Sequence, residues 1–288
     1  MGLNLIELYY EAADRLVARF GLDITYARNE YAVLKRAYGG STPVSYADPV
    51  RRYVYMKAMA PRHAIVWREF VRTQVVCKTP GTSLQLNSIG AGPAPEVLGF
   101  LEGYVGAPTL SRIDVRCLES EPQWRPAGEI VAELYSLQSG KDLKLTYVDT
   151  AAQLHQGAYT LGSMVLSDLA RAGAPVHTLL SDVRQQVAPC EGLFLDAVKC
   201  RTPDGQDTFT SKYVDGSHLV GRWIGFSDDG EKYANIVRTA VSDEVAAMSR
   251  GLELDLTTGF VLNGYHMRFS NPTPSTSARA SRSTPTTG

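Results

Sequence analysis

The densest chemical signal in the chain is LQLNSIGAGPAPEVLGF, residues 84–100. An apolar run leads straight into Gly90-Ala91-Gly92. Pro93, Pro95 and Glu96 then suit the opening of a helix, where a missing N–H costs nothing and an acid meets the positive end of the dipole. Glycine at such a turn admits positive φ and lets a ligand approach the backbone. At the carboxyl end of a strand in an open α/β sheet, that crevice is where ligands bind. Pro95 stands where a dinucleotide fingerprint G-x-G-x-x-G needs its third glycine, and the P-loop spacing is absent. A pyrophosphate on the helix N-terminus is thereby disfavoured, and a nucleoside without phosphates fits the crevice better. The next apolar run, RIDVRCL (112–118), is followed by Glu119, an acid placed to accept two hydrogen bonds from vicinal ribose hydroxyls. LKLTYV (143–148) is followed by Asp149, placed to meet an adenine amino group.

Other chemistries find less material. The four cysteines (Cys77, Cys117, Cys190, Cys200) contain no CxxC pair, which argues against structural zinc and a disulfide framework and for a reducing compartment. The five histidines lack ligand spacing, so no metal site is expected. Cys190 reads as a small buried side chain. Tyr53, Tyr55, Arg62, His63 and Trp67 stand in the helical stretch before the first strand. Tyr55, Arg62 and His63 are its candidate substrate residues, with a packed helical cap as the competing reading.

These residues need elements to position them. Leu5, Leu8, Tyr9, Ala12, Leu16 and Phe20 recur at helical spacing through residues 3–20, and Gly21 stops the pattern. A second helix is expected over Ala27–Tyr38, broken by residues 39–43, and a third over 48–76 with Pro61 as a kink or break. Beyond Gly81, short apolar runs at 84–89, 112–118, 143–148, 163–169 and 192–198 alternate with helical windows at 96–105, 128–137 and 176–187. Runs of that kind suit strands buried on both faces of a parallel, doubly wound sheet. Turn clusters at 203–205 and 228–230, followed by GFVLNGYHMRF (259–269), point to strand pairs closing one edge. The chain therefore divides into a helical N-terminal cap or substrate region (1–80), a Rossmann-like α/β domain (81–270) and a tail (271–288) too poor in apolar residues to order.

With 288 residues, 44% of them hydrophobic and 20% charged, the balance excludes wholesale disorder, collagen and coiled coil. No apolar stretch is long enough to span a membrane, and Glu7 without a basic run before it argues against a secretory signal, leaving a cytoplasmic or nuclear protein. The net charge of -1 hides an excess of +5 in residues 1–80 against -6 in the rest. Lys35, Arg36, Arg51, Arg52, Lys57, Arg62, Arg68, Arg72 and Lys78 contribute to it, as an anion-facing surface or a solvated helical one.

IGAGPAPE, the acid in CLESEPQW, and YVD, in that order along the chain, resemble the class I S-adenosylmethionine-dependent methyltransferases over roughly residues 81–270. The resemblance implies a mostly parallel Rossmann-like sheet with an antiparallel edge strand, supplied here by 259–269. It implies S-adenosyl-L-methionine as cofactor, contacted at Ser88, Gly90, Ala91, Gly92, Glu119, Asp149 and Ser167. Two positions depart from the family pattern: Ser88 replaces a frequent acid close to the cofactor's amino group, and Ala94 replaces a third glycine. The run 163–169 is taken as the fourth strand, which puts Ser167 and Asp168 at the transfer site without the Pro-Pro-aromatic motif of base methylators. Asp168 there would orient or deprotonate the acceptor, or cap the following helix. The implied activity is methyl transfer to an unidentified acceptor, with RNA or protein favoured over a small molecule by the basic helices. The alternative is a catalytically inactive scaffold of the same fold. Pro95 disfavours a nicotinamide oxidoreductase.

Overall fold

A computed structural model describes residues 3–39, 44–74, 81–104, 107–197, 199–204, 206–213, 218–223 and 262–269. The expected tail, the turn at 228–230 and Cys77 lie outside the described residues.

The first helices follow their sequence signals. In α1 (Leu5–Phe20) the Asn4 side chain accepts the N–H groups of Ile6 and Glu7, and Gly21 ends the helix in the left-handed conformation at φ 60°. Helix α2 (Ala27–Gly39) is followed by α3 (Pro49–Ala58), where Asp48 accepts from Val50 and Arg51. The break expected at Pro61 falls at Met59, so that Pro61 occupies the first turn of α4 (Ala60–Gln74), where its absent N–H is not missed.

Strands β1 (Ser83–Ile89), β2 (Arg112–Leu118), β3 (Asp142–Val148), β4 (Tyr159–Ser163) and β5 (Cys190–Ala197) pair in parallel in the order β3-β2-β1-β4-β5. Strand β9 (Leu262–Phe269) adds antiparallel to β5, and β8 (His218–Trp223) pairs outside it. Among the described residues this makes one seven-stranded sheet, beside a two-stranded ribbon of β6 (Lys199–Arg201) and β7 (Asp207–Phe209). The mostly parallel Rossmann-like sheet is thus the one expected.

Alternate side chains of the parallel strands enter two cores, as a pleat requires. Leu86, Ile113, Val115, Leu143, Leu161 and Leu195 face one continuous cluster with α1, α3, α4, α5 (Pro95–Gly103) and α6 (Arg125–Ser139). Ile89, Val148 and Phe194 face the second cluster with α7 (Val165–Arg171) and α8 (Val176–Val187). Helices α4 and α5 approach closely because Gly99 and Gly103 lie between them. A Cβ at Gly99 would come within 3.1 Å of the Ala64 carbonyl carbon, and one at Gly103 within 2.9 Å of Val71 Cβ.

The fourth strand differs from the expected one. Residues 159–163 form β4, while 165–171 form α7. Met164 adopts φ 60°, which ends the extended backbone. The Asp196 carboxylate near the end of β5 then accepts the N–H groups of Leu166 and Ser167 and caps the new helix from the neighbouring strand. A short apolar run has no period that separates strand from helix, and the capping acid sits far along the chain.

Candidate functional site

The carboxyl ends of β1, β2 and β3 meet as expected. Strand β1 delivers Gly90 at φ 64° and Gly92 at φ 49°, followed by Ala94 at φ 58° before Pro95 starts α5. The loop is held from several sides. Gly90 N–H donates to the Leu118 carbonyl at 2.8 Å, and Gly92 N–H donates to Glu119 Oε2 at 2.9 Å. From beneath, the Tyr147 hydroxyl donates to the Gly92 carbonyl at 2.6 Å and the Tyr9 hydroxyl to the Pro93 carbonyl at 3.1 Å. Both tyrosines are driven up in pKa mainly by burial, so they remain donors.

Glu119 also accepts the Glu121 N–H at 2.9 Å. Burial raises its pKa, and the N–H groups of Glu121 and Gly92 oppose that rise. Glu121 in turn accepts the Tyr46 N–H at 2.9 Å, which ties the chain ahead of α3 to the tip of β2. Tyr46, Tyr55 and Trp124 pack ring against ring, with Trp124 at 5.1 Å from Tyr46 and 5.4 Å from Tyr55 between centroids. Trp124 comes within 3.7 Å of the position a Gly92 Cβ would take, so this aromatic cluster walls the glycine turn.

Ser88 lies buried at the end of β1 and donates a short hydrogen bond to Glu96 Oε1. Ala91 is buried within the turn. Asp149 follows β3 as an exposed residue, and its carboxylate pairs with Arg125 at 3.3 Å. Of the candidate substrate residues, the Tyr55 hydroxyl meets His63 Nδ1 at 3.3 Å inside the helical layer. Burial first, and adjacent Arg62 second, lower His63 to about 3, so its imidazole is neutral at ordinary pH. Arg62 is itself buried.

Ser167 and Asp168 sit on α7 and not at a strand tip, because the chain turns at Met164. The Ser167 hydroxyl donates to the Met164 carbonyl at 3.0 Å, and Asp168 pairs with Arg171 at 2.6 Å. Helix α7 nevertheless starts at the site, since a Cβ on Gly90 would lie 3.0 Å from Val165 Cγ2. The residue at the tip of β4 is Ser163, whose hydroxyl is buried without a hydrogen-bond partner.

Of the residues read from the sequence, Ser88, Gly90, Ala91, Gly92, Glu119 and Asp149 thus lie at the carboxyl ends of β1, β2 and β3. The sequence reading did not find Tyr9, Tyr147 and Glu121 as supports of the turn, Glu96 as the partner of Ser88, or Asp196 as the cap of α7. Only Asp196 carried a visible signal, as the one acid within the apolar run GLFLDAV. Among the described residues no group of three or more His, Cys, Asp or Glu could hold a metal ion, and no helix is long and apolar enough to cross a membrane.

The parallel order β3-β2-β1-β4-β5, extended by antiparallel β9 and then β8, includes the antiparallel strand that the resemblance implies. The chain has a Rossmann-like α/β fold. No protein-family model matches it, and no curated protein matches its sequence. Among solved structures, mitomycin 7-O-methyltransferase MmcR is 15% identical, covering 90% of this chain and 72% of that one with a TM-score of 0.42. An arsenic(III) S-adenosylmethionine methyltransferase from Chlamydomonas reinhardtii is 14% identical, covering 72% and 74% with a TM-score of 0.39. An uncharacterized protein from Burkholderia thailandensis is 12% identical, covering 93% and 94% with a TM-score of 0.45. These are likenesses of fold alone.

Proposed function

We propose that the chain binds S-adenosyl-L-methionine across the tips of β1, β2 and β3 and transfers its methyl group to an acceptor at the neighbouring tip of β4. The observation that carries this reading is the pairing of the positive-φ Gly90–Gly92 turn with Glu119, joined by a hydrogen bond from Gly92 N–H. Glu119 retains acceptor capacity for ribose hydroxyls, since a carboxylate offers about four lone-pair sites. The cofactor supplies an electrophilic methyl on a sulfonium. The protein's part is orientation and exclusion of water, worth up to about 7–11 kcal/mol for well-aligned reactants. Tyr9 and Tyr147 hold the carbonyls of the turn, and Tyr46, Tyr55 and Trp124 keep its flank dry. His63, held neutral, serves to orient the Tyr55 hydroxyl and is too weak a base to take a proton from the acceptor.

The use of the basic side chains supports a small acceptor more than a polyanion. Arg51 pairs with Glu30 at 2.6 Å, Lys57 with Asp14 at 2.7 Å, and Arg68 and Arg72 with Glu69 at 3.2 and 2.6 Å. Glu30, Asp14 and Glu69 belong to the same region, so the excess of +5 stands, but the pairing engages four of the cations that favoured RNA or protein. Labelled methyl transfer into fractionated extract tests both points. Label in a small-molecule fraction fits the proposal, and label in macromolecules that is lost steeply with salt would reject the small acceptor. A binding protein without transfer activity is the second reading. It is favoured by the use of Asp168 on Arg171 and of Asp196 on the backbone of α7, which leaves neither as a ready base.

A further inference from the structure

Among the described residues, no cation faces the carboxyl group that lies beneath the glycine turn. Glu96 and Ser88 are both inaccessible to solvent, the Ser88 hydroxyl is hydrogen-bonded to Glu96 Oε1, and Glu96 Oε2 has no hydrogen-bond partner. The titratable groups that face it come from three elements: Tyr9 on α1, Cys117 and Glu119 on the β2 side, and Tyr147 on β3. None of them is a cation. Burial pushes the Glu96 carboxyl up to about 8 against the pull of Ser88 and of its own backbone N–H, and Glu119 adds to the rise. A glutamate that served only the dipole of α5 would gain as much at the surface without desolvation. Buried and half-satisfied, it destabilises the free protein. It also sits in a turn region built from small residues, Gly90, Ala91 and Gly92.

Adenosine reading the acids after β2 and β3 leaves the amino-acid tail of the cofactor to cross the β1 turn, above Ser88 and Glu96. The one group on that tail that is both cationic and an N–H donor is the α-ammonium. We propose that Glu96 is the acceptor for the α-ammonium of S-adenosyl-L-methionine, with Ser88 fixing the orientation of its carboxylate, an assignment that rests on the cofactor reading above. The recipient carboxylate thus comes from the first turn of α5 and not from the strand end that Ser88 occupies. On binding, the ammonium donates to Oε2, and the proton carried by the free carboxyl near neutral pH passes to solvent.

Two ligands isolate the contact. S-adenosyl-L-homocysteine carries the ammonium, whereas 5′-methylthioadenosine keeps the adenosine and thioether but lacks the amino-acid tail. Titration calorimetry of wild type and Glu96→Gln with each should show homocysteine-ligand affinity falling by about tenfold or more in the variant, as for one charge-assisted hydrogen bond, with the thioadenosine changed less than about twofold. Repeating the wild-type titration at pH 7 in buffers of different ionisation enthalpy should show close to one proton released with the first ligand and none with the second. Thermal unfolding should find Glu96→Gln as stable as wild type or more so. Equal loss of both ligands, loss of neither, or absence of the released proton would overturn the assignment while leaving the cofactor site standing. Failure of wild type to bind either ligand would overturn the cofactor reading and the assignment together.

Discussion

Gly128 on α6 controls the glycine turn through one side chain. A Cβ at that position would fall inside the Tyr147 hydroxyl and lie 2.8 Å from its Cζ and 2.9 Å from its Cε2. The hydroxyl donates to the Gly92 carbonyl at 2.6 Å, and the tyrosine packs partly buried against the core, so the ring yields to a new Cβ only by giving up that hydrogen bond. Gly128→Ala should gain about 1 kcal/mol of helix propensity and lose about 1–3 kcal/mol to overpacking. The expected net effect is a loss of roughly 0–2 kcal/mol, with weaker binding of S-adenosyl-L-homocysteine because the turn loses its support from below. Tyr147→Phe alone should cost about 1 kcal/mol, the net worth of one hydrogen bond whose acceptor stays buried. In that background the overlap is relieved from the hydroxyl to the ring carbon, so Gly128→Ala should be less damaging than in wild type. Urea unfolding of the four proteins of this cycle measures the coupling. If the alanine proves stabilising in wild type, or equally costly in both backgrounds, the described contact does not control the turn.

Other consequences follow from the same packing. Because burial raises Glu96 to about 8 from an ordinary 4.5, the folded protein holds its proton more tightly than the unfolded chain. Its contribution to stability is fully present below pH 4.5 and is lost as pH rises through about 8; unfolding across that window should show a slope that Glu96→Gln flattens. Asp196→Asn should destabilise by about 1–3 kcal/mol in chemical unfolding, since an amide NH2 cannot accept the three backbone N–H groups of Leu166, Ser167 and Ala197 that the carboxylate receives. Gly99→Ala should part α4 from α5 and cost more than about 1 kcal/mol, read as a fall in the urea midpoint; an unchanged midpoint would mean the two helices can slide without penalty.

What was legible in the sequence was whatever punctuation made local. The apolar runs ending at Ile89, Leu118 and Val148 stop at a glycine or an acid, and those stops are the strand tips. Helices α1 to α4 showed themselves through their period and caps. Strand β4 did not, because YTLGS is short and the more apolar SMVLSDL beside it competes for the same assignment. Contacts that depend on the folded path were invisible. Tyr9 and Pro93 are 84 residues apart, and Ser88 meets Glu96 only because β1 and α5 fold back on each other. Glu96 read as a surface acid at a helix start, a role its burial excludes. The charge excess of the first helices is real in composition, but Arg51 and Lys57 on α3 are each engaged by an acid of α2 or α1.

The central claim is that the turn at Gly90–Gly92 and the Glu119 carboxylate form a nucleoside site. Calorimetric titration with S-adenosyl-L-methionine, with NADH as control, tests it on wild type, Glu119→Gln and Glu119→Ala. The account predicts saturable binding of the first ligand and none of NADH. Glu119→Gln should weaken that binding by about tenfold or more through loss of charge on an acceptor of ribose hydroxyls, and Glu119→Ala should weaken it further. Absence of binding to wild type, or affinity indifferent to both substitutions, would contradict it.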